Sequence, residues 1–187
     1  MVLAGPSGVG KGAIVSRLLA ARPDLQLSVS ATTRPPRPDE VDGRHYYFVD
    51  PDTFDRLVAA GGLLEWAEIF GHRYGTPREP VERALQEGRT VVVEIDVQGA
   101  RQIRAALPDA YMVFVKPPSL GELERRLRTR GTETDEQIRR RLAKASEELA
   151  AEPEFDATVV NDRLDDAARK VIGMVDRLER RTMKSHK

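Results

Sequence analysis

Gly5-Pro6-Ser7-Gly8-Val9-Gly10-Lys11 follows directly on the apolar run Met1-Val2-Leu3-Ala4, and after it Ile14, Val15, Leu18 and Leu19 recur at helical spacing. Strand, glycine-rich turn and helix in that order build an anion cradle. Backbone N–H groups of the turn curl around a phosphate while the positive end of the helix points at the same place. Lys11 adds a mobile ammonium for the outer phosphates of a nucleotide. The stretch therefore predicts a nucleoside triphosphate site on a strand, loop and helix of an α/β fold. Four residues precede the loop, so the first strand is expected to be short.

The same stretch departs from the usual pattern in one respect. A Ser or Thr ordinarily follows the lysine, where its hydroxyl ligates Mg²⁺; here Gly12 and Ala13 follow, and neither carries a ligand. Mg²⁺ keeps several waters and takes ligands from phosphates, so the metal is still expected with the nucleotide.

Composition narrows the classes. In 187 residues, 30 basic and 30 acidic side chains cancel, which argues against a dedicated nucleic-acid binder. With no cysteine, disulfides and thiolate metal sites are ruled out, and a reducing cytoplasm is the expected setting. His45, His72 and His186 are too scattered for a zinc site. No apolar run approaches membrane-spanning length, and no signal-like core opens the chain.

Along the chain, Leu27-Ser28-Val29-Ser30 reads as a second strand. Thr90 to Asp96, Ala110 to Val115 and Ala157 to Val160 read as strands buried on both faces, each followed by a helical pattern, the last of them from Leu164 to Leu178. This alternation predicts a mostly parallel sheet covered by helices on both sides. Residues 31 to 80 break the rhythm with Arg34-Pro35-Pro36-Arg37-Pro38, strand-like runs at Tyr46 to Val49 and Leu64 to Phe70, and a helical stretch from Asp52 to Ala60. They read as a small mixed insertion. From Leu123 to Glu148 charges crowd in, with arginines split around Gly131-Thr132. Such a hairpin is either a solvated face or an arginine-bearing lid that closes on phosphates.

Taken together, these motifs resemble bacterial guanylate kinases. The resemblance rests on the phosphate loop, on Ser28-Val29-Ser30-Ala31-Thr32-Thr33-Arg34 with Pro36-Arg37, and on Gly43 with Tyr46 and Phe48. It continues through Leu64-Glu65-Trp66-Ala67, Tyr74-Gly75-Thr76, Glu94-Ile95-Asp96-Val97-Gln98-Gly99, Arg130-Gly131-Thr132-Glu133 and Val160-Asn161-Asp162. It implies a phosphate-loop parallel sheet flanked by helices (about 1–30, 81–122 and 150–187), a mixed GMP-binding insertion (about 31–80) and a helical lid (about 123–149). The implied reaction is transfer of the γ-phosphoryl group of ATP to GMP or dGMP.

By the same resemblance, Gly5, Pro6, Ser7, Gly8, Val9, Gly10, Lys11, Gly12 and Asn161 face ATP. Arg34, Arg37, Tyr46 and Tyr74 hold the acceptor phosphate, for which guanidinium forks suit better than lysines. Ser30, Glu65 and Thr76 read guanine, whose N1–H and N2–H₂ are adjacent donors that one carboxylate accepts together. Asp96 lies near the acceptor nucleotide and the water shell of the metal. Lys11, Arg126, Arg130 and Arg141 are the implied catalytic cations. Two other readings stay open on sequence: a guanylate-kinase-like module with weak catalysis that binds a nucleotide or a phosphorylated partner, and a related kinase for another nucleotide.

Overall fold

The structure, a computed structural model, describes residues 1–69, 71–129 and 134–185. Its centre is a five-stranded parallel sheet in the order β2-β7-β1-β8-β9. The strands are β1 (Val2–Ala4), β2 (Gln26–Leu27), β7 (Val91–Ile95), β8 (Met112–Lys116) and β9 (Ala157–Val160). Alternation within the apolar runs divides them between two layers. Leu3, Val92, Val113 and Val115 pack with Ile14, Val15 and Leu18 of α1 (Lys11–Ala21) and with Ala167, Val171 and Val175 of α7 (Leu164–Ser185). Val2, Ala4, Val91, Val93 and Ile95 pack on the opposite face with Val81 and Ala84 of α3 (Arg78–Gln86) and with Ala100 and Ile103 of α4 (Val97–Ala106). Strands this apolar on both faces belong in the middle of such a sandwich.

A second, mixed sheet runs in the order β4-β3-β6-β5, built from β3 (Ala31–Thr32), β4 (Tyr47–Phe48), β5 (Leu63–Ile69) and β6 (His72–Pro77). Helix α2 (Pro51–Ala59) packs Phe54 against Ala31 and Leu63. Its first turn is fixed by Asp50, whose side chain accepts the Thr53 N–H, a cap worth about 1 kcal/mol. Helices α5 (Leu120–Thr129) and α6 (Asp135–Leu149) form a pair around Leu123, Leu127, Ile138 and Ala145. Thr134 and Gln137 make a reciprocal capping box that starts α6.

One expectation is corrected. Leu27 to Ser30 is not a single strand: β2 stops at Leu27, residues 28–30 cross over, and β3 opens the second sheet at Ala31. The crossover arises because Ser28 donates to Val92 in the main sheet while the Ser30 carbonyl accepts from Tyr47 in the other. Strand β6 and helix α3 were not singled out in the sequence.

Candidate active site

Parallel strands bring their carboxyl ends to one edge, and β1 lies where the strand order reverses, the usual position for a ligand crevice. The phosphate loop leaves β1 at that edge. Gly5 takes a φ of +150°, and a Cβ there would stand 2.1 Å from the Val115 carbonyl oxygen, so the loop is wedged against β8 at a spacing only glycine permits. Gly10, at φ +93°, caps α1 in the left-handed region, where a Cβ would stand 2.6 Å from the Asn161 amide nitrogen. Asn161 is buried and donates its Nδ2 to the Val9 carbonyl at 2.8 Å, bracing the loop from beneath. That bond uses one of the two N–H donors of its amide.

Lys11 donates its ammonium to the Gly5 carbonyl at 2.6 Å and to the Pro6 carbonyl at 3.1 Å. Burial holds its pKa below the ordinary lysine value, opposed by the carboxylates of Glu94, Glu148 and Asp96. Glu94 sits on β7, next to β1, and burial pushes its carboxyl up against the pull of Lys11. Both Glu94 carboxylate oxygens lie 3.5 Å from the Cβ position of Gly12. A carboxylate thus faces the helix start where a hydroxyl is usual. Hard oxygen donors beside a triphosphate cradle fit a hydrated divalent cation. Among the described residues, no group of three or more His, Asp or Glu forms a metal cage of its own.

The α6 helix reaches the loop from above. Arg141 donates to the Ser7 hydroxyl at 3.5 Å. Glu148 is largely buried beside Lys144, at 3.9 Å, and among the described residues its Oε2 has no hydrogen-bond partner. Arg126 donates from Nε to Glu122 at 2.7 Å and reaches the Asp162 carbonyl at 3.3 Å, on the rim of the same crevice. Arg130 lies outside the described residues.

The second sheet carries the other cluster. Arg34 donates to Glu40 at 2.8 Å and lies over the rings of Tyr46 and Phe48, 5.4 and 5.8 Å from their centroids. Tyr46 meets Tyr74 edge to face at 6.0 Å. Glu40 also accepts the Arg37 backbone N–H at 2.8 Å, and these bonds hold its carboxyl down to about 2. Sequence reasoning missed Glu40; the turn Arg37-Pro38-Asp39-Glu40 closes on itself through the Glu40 N–H and the Arg37 carbonyl. The Arg37 side chain is exposed and makes no ion pair among the described residues.

Glu65 and Thr76, paired across β5 and β6, are both buried, and the Thr76 hydroxyl donates to Glu65 Oε1 at 2.7 Å. Burial, with a further push from Asp96, raises the Glu65 carboxyl to about 7, against the Thr76 bond. Asp96 follows β7 and caps α4 by accepting the Gly99 N–H at 2.8 Å. Ser30 lies half-buried in the crossover between the two sheets. The phosphate loop with its carboxylates thus belongs to the main sheet and the guanidinium-tyrosine cluster with a buried carboxylate to the second, and Asp96 lies close enough to act on both Lys11 and Glu65.

Comparison with known proteins identifies the family. Residues 1–178 match the family described as guanylate kinase. The chain is 61% identical over 170 residues to a guanylate kinase of Synechococcus sp. (strain CC9902), covering 91% of each chain. It is 58% identical to one of Thermobifida fusca (strain YX), covering 93% of this chain and 89% of that one. The crystal structure of guanylate kinase from Anaplasma phagocytophilum superposes with a TM-score of 0.78 at 32% identity, over 95% of this chain and 84% of that one. The chain belongs to the guanylate kinase family.

Proposed function

We propose that this chain catalyses ATP + GMP → ADP + GDP with the residues assembled above. The observation that carries the assignment is the buried Glu65–Thr76 pair, joined through the nearby Asp96 carboxylate to the lysine of the phosphate loop. Glu65 accepts guanine N1–H and N2–H₂, and Ser30 and Thr76 serve the neighbouring edge of the base. Arg34, Arg37, Tyr46 and Tyr74 hold the GMP phosphate. The second sheet is the GMP-binding insertion and the α5–α6 pair is the lid, with residues outside both forming the core.

The chemistry needs little covalent help. An oxygen of the GMP phosphate, already ionised, attacks the γ-phosphorus; the bond from that phosphorus to the bridging oxygen breaks, and its electron pair leaves with ADP. No general base is required. The protein aligns two anions and neutralises the charge on the moving group with Lys11, Arg141 and Arg126, and, by the family resemblance, Arg130. Lys11 is held in place by the Gly5 and Pro6 carbonyls, so its ammonium turns toward phosphate without a large search. Asn161 keeps the loop in shape. Glu94 and Asp96 would hold Mg²⁺ through water, and that ion supplies charge neutralisation across the outer phosphates. Closure of α5 and α6 excludes water that would otherwise take the phosphoryl group. No helix among the described residues is long and apolar enough to cross a membrane, and a cysteine-free chain suits the cytoplasm.

A coupled assay of ADP formation with GMP, dGMP, AMP, CMP and UMP as acceptors tests the assignment. Turnover with GMP and dGMP, and little with the others, is the expected result. Preference for AMP or a pyrimidine nucleotide would overturn it.

A further inference from the structure

β5 is the outer strand of its sheet and pairs with β6 on one side alone. Its other edge is turned to α4 at Trp66, whose backbone N–H and C=O would need partners there. The side chain of Gln102 meets both. Its Oε1 accepts the Trp66 N–H at 3.1 Å and its Nε2 donates to the Trp66 carbonyl at 2.8 Å. One primary amide replaces, for one residue, the neighbouring strand that β5 lacks.

A second contact between the same two elements lies one helical turn earlier. Gly99 and Gln102 stand three apart on α4 and share a face. A Cβ on Gly99 would stand 2.6 Å from Oε2 of Glu65 and 3.4 Å from Oδ1 of Asp96. The carboxylate of Glu65, next to Trp66 in sequence, therefore occupies the space left by the missing side chain. The Gly99 N–H meanwhile caps the helix through Asp96. One face of α4 sets where β5 sits, how deep Glu65 reaches, and where Asp96 stands.

We propose that Gln102 and Gly99 are positioning residues for base selection: Gln102 locks the strand that carries Glu65 to α4, and Gly99 leaves the socket into which its carboxylate fits. Neither touches the nucleotide. Both act by holding both carboxylate oxygens where two adjacent guanine donors meet them. The proposal rests on the reading of Glu65 as the guanine acceptor. It separates from a general bracing role because a misplaced carboxylate loses one of two bonds, and that loss depends on the base.

The test uses the full chain with ATP as donor and GMP or IMP as acceptor. IMP keeps N1–H and lacks the N2 amine, so the GMP to IMP ratio of kcat/KM reports the second bond. Gln102→Leu removes both hydrogen bonds at similar size, Gln102→Glu keeps the acceptor and loses the donor, and Gly99→Ala fills the socket. The expected result is a rise in KM for GMP of about tenfold in Gln102→Leu and Gly99→Ala, the scale of one lost buried hydrogen bond, with Gln102→Glu between. The GMP to IMP ratio falls with it, while KM for ATP and kcat at saturating GMP stay within about threefold. An unchanged ratio in all three variants overturns the proposal, as does equal loss for GMP, IMP and ATP with a lowered Tm. Should Gln102→Leu fail to fold, Gln102→Glu and Gly99→Ala decide by the same ratio. Glu65→Gln is measured in parallel: if it leaves the ratio untouched, the base-reading assignment falls and takes the proposal with it. If it collapses the ratio and the α4 variants do not, Glu65 reads the base without help from α4.

Discussion

The ammonium of Lys11 lies 2.6 Å from the carbonyl oxygen of Gly5, so the residue that closes the phosphate loop is tethered to the one that opens it. The tether makes Lys11 a placed charge, at the cost of desolvation that lowers its pKa. Lys11→Met keeps the unbranched stem to within one atom of its length and removes the charge. We expect GDP formation to fall by at least about a hundredfold, in line with the loss of a charged group aimed at the transferring phosphoryl, with Tm little changed. Steady-state kinetics with thermal unfolding checks both. Activity within a few-fold of the parent contradicts the role.

On the function proposed above, Arg34 and Arg37 hold the acceptor phosphate. Replacing either with Ala should raise KM for GMP at least about tenfold, as expected for a charge-assisted bond of about 1.5–3 kcal/mol, and change KM for ATP little. Equal losses for both nucleotides would make these arginines structural.

On the proposed reading, Glu65 connects base selection to pH. Its carboxyl is raised to about 7 in the folded protein, above its ordinary 4.5. Guanine donors need the ionised form, so kcat/KM for GMP should climb from pH 6 to 8 as the proton leaves. The GMP phosphate also titrates near 6, and Glu65→Gln, which keeps that titration and loses the other, separates the two. Stability runs the other way. The native state holds a proton that the unfolded chain has released between about 4.5 and 7, so this group's contribution to folding stability is lost as pH rises through that window. A pH profile of GMP use identical in parent and Glu65→Gln would refute the linkage.

Gly5→Ala should be among the most damaging single substitutions. The new Cβ meets backbone, the Val115 carbonyl, which has no rotamer to yield, and φ is +150°. We expect a loss of several kcal/mol, in the range of strained backbone plus overpacking, and a denaturant midpoint shifted down accordingly. A midpoint equal to that of the parent would mean the loop can relax away from β8.

Chelation should stop turnover and added Mg²⁺ should restore it, although no hydroxyl follows Lys11. Glu94→Gln removes the carboxylate that faces Gly12 and should raise the Mg²⁺ concentration needed for half-maximal rate. Full turnover in chelator without added divalent ion contradicts the requirement.

How far these features were legible in sequence follows the range of the forces that make them. The strands of the main sheet were readable because Val91 to Val93 and Met112 to Val115 are buried on both faces, and burial writes itself as an unbroken apolar run. β6 was not, since His72, Arg73, Gly75 and Pro77 carry neither alternation nor strand propensity; pairing with β3 and β5 makes it a strand. Helix α3 hides behind Pro80, which sits in a first turn where its missing N–H costs nothing. The split between β2 and β3 depends on which sheet supplies each partner, which no local pattern records. In the site, the phosphate loop is local and was plain. The Glu65–Thr76 pair came only through family likeness, and the Gln102–Trp66 bonds join residues 36 apart in sequence with no signal at either end.

Among the described residues, the cluster between the second sheet and α2 has three buried apolar side chains, Ala31, Phe54 and Leu63, while the strands of the phosphate-loop sheet lie between two far larger clusters. A unit with so small an interior draws its persistence from its neighbour, and local opening should be its native habit. Amides of Thr32, Tyr74 and Ala67 should therefore exchange with deuterium well before those of Leu3 and Val113. Bound GMP, joining one half to the other, should slow that exchange more than ATP does. Acceptor recognition would then consist, in free-energy terms, of recruiting a loosely held subdomain onto a rigid one.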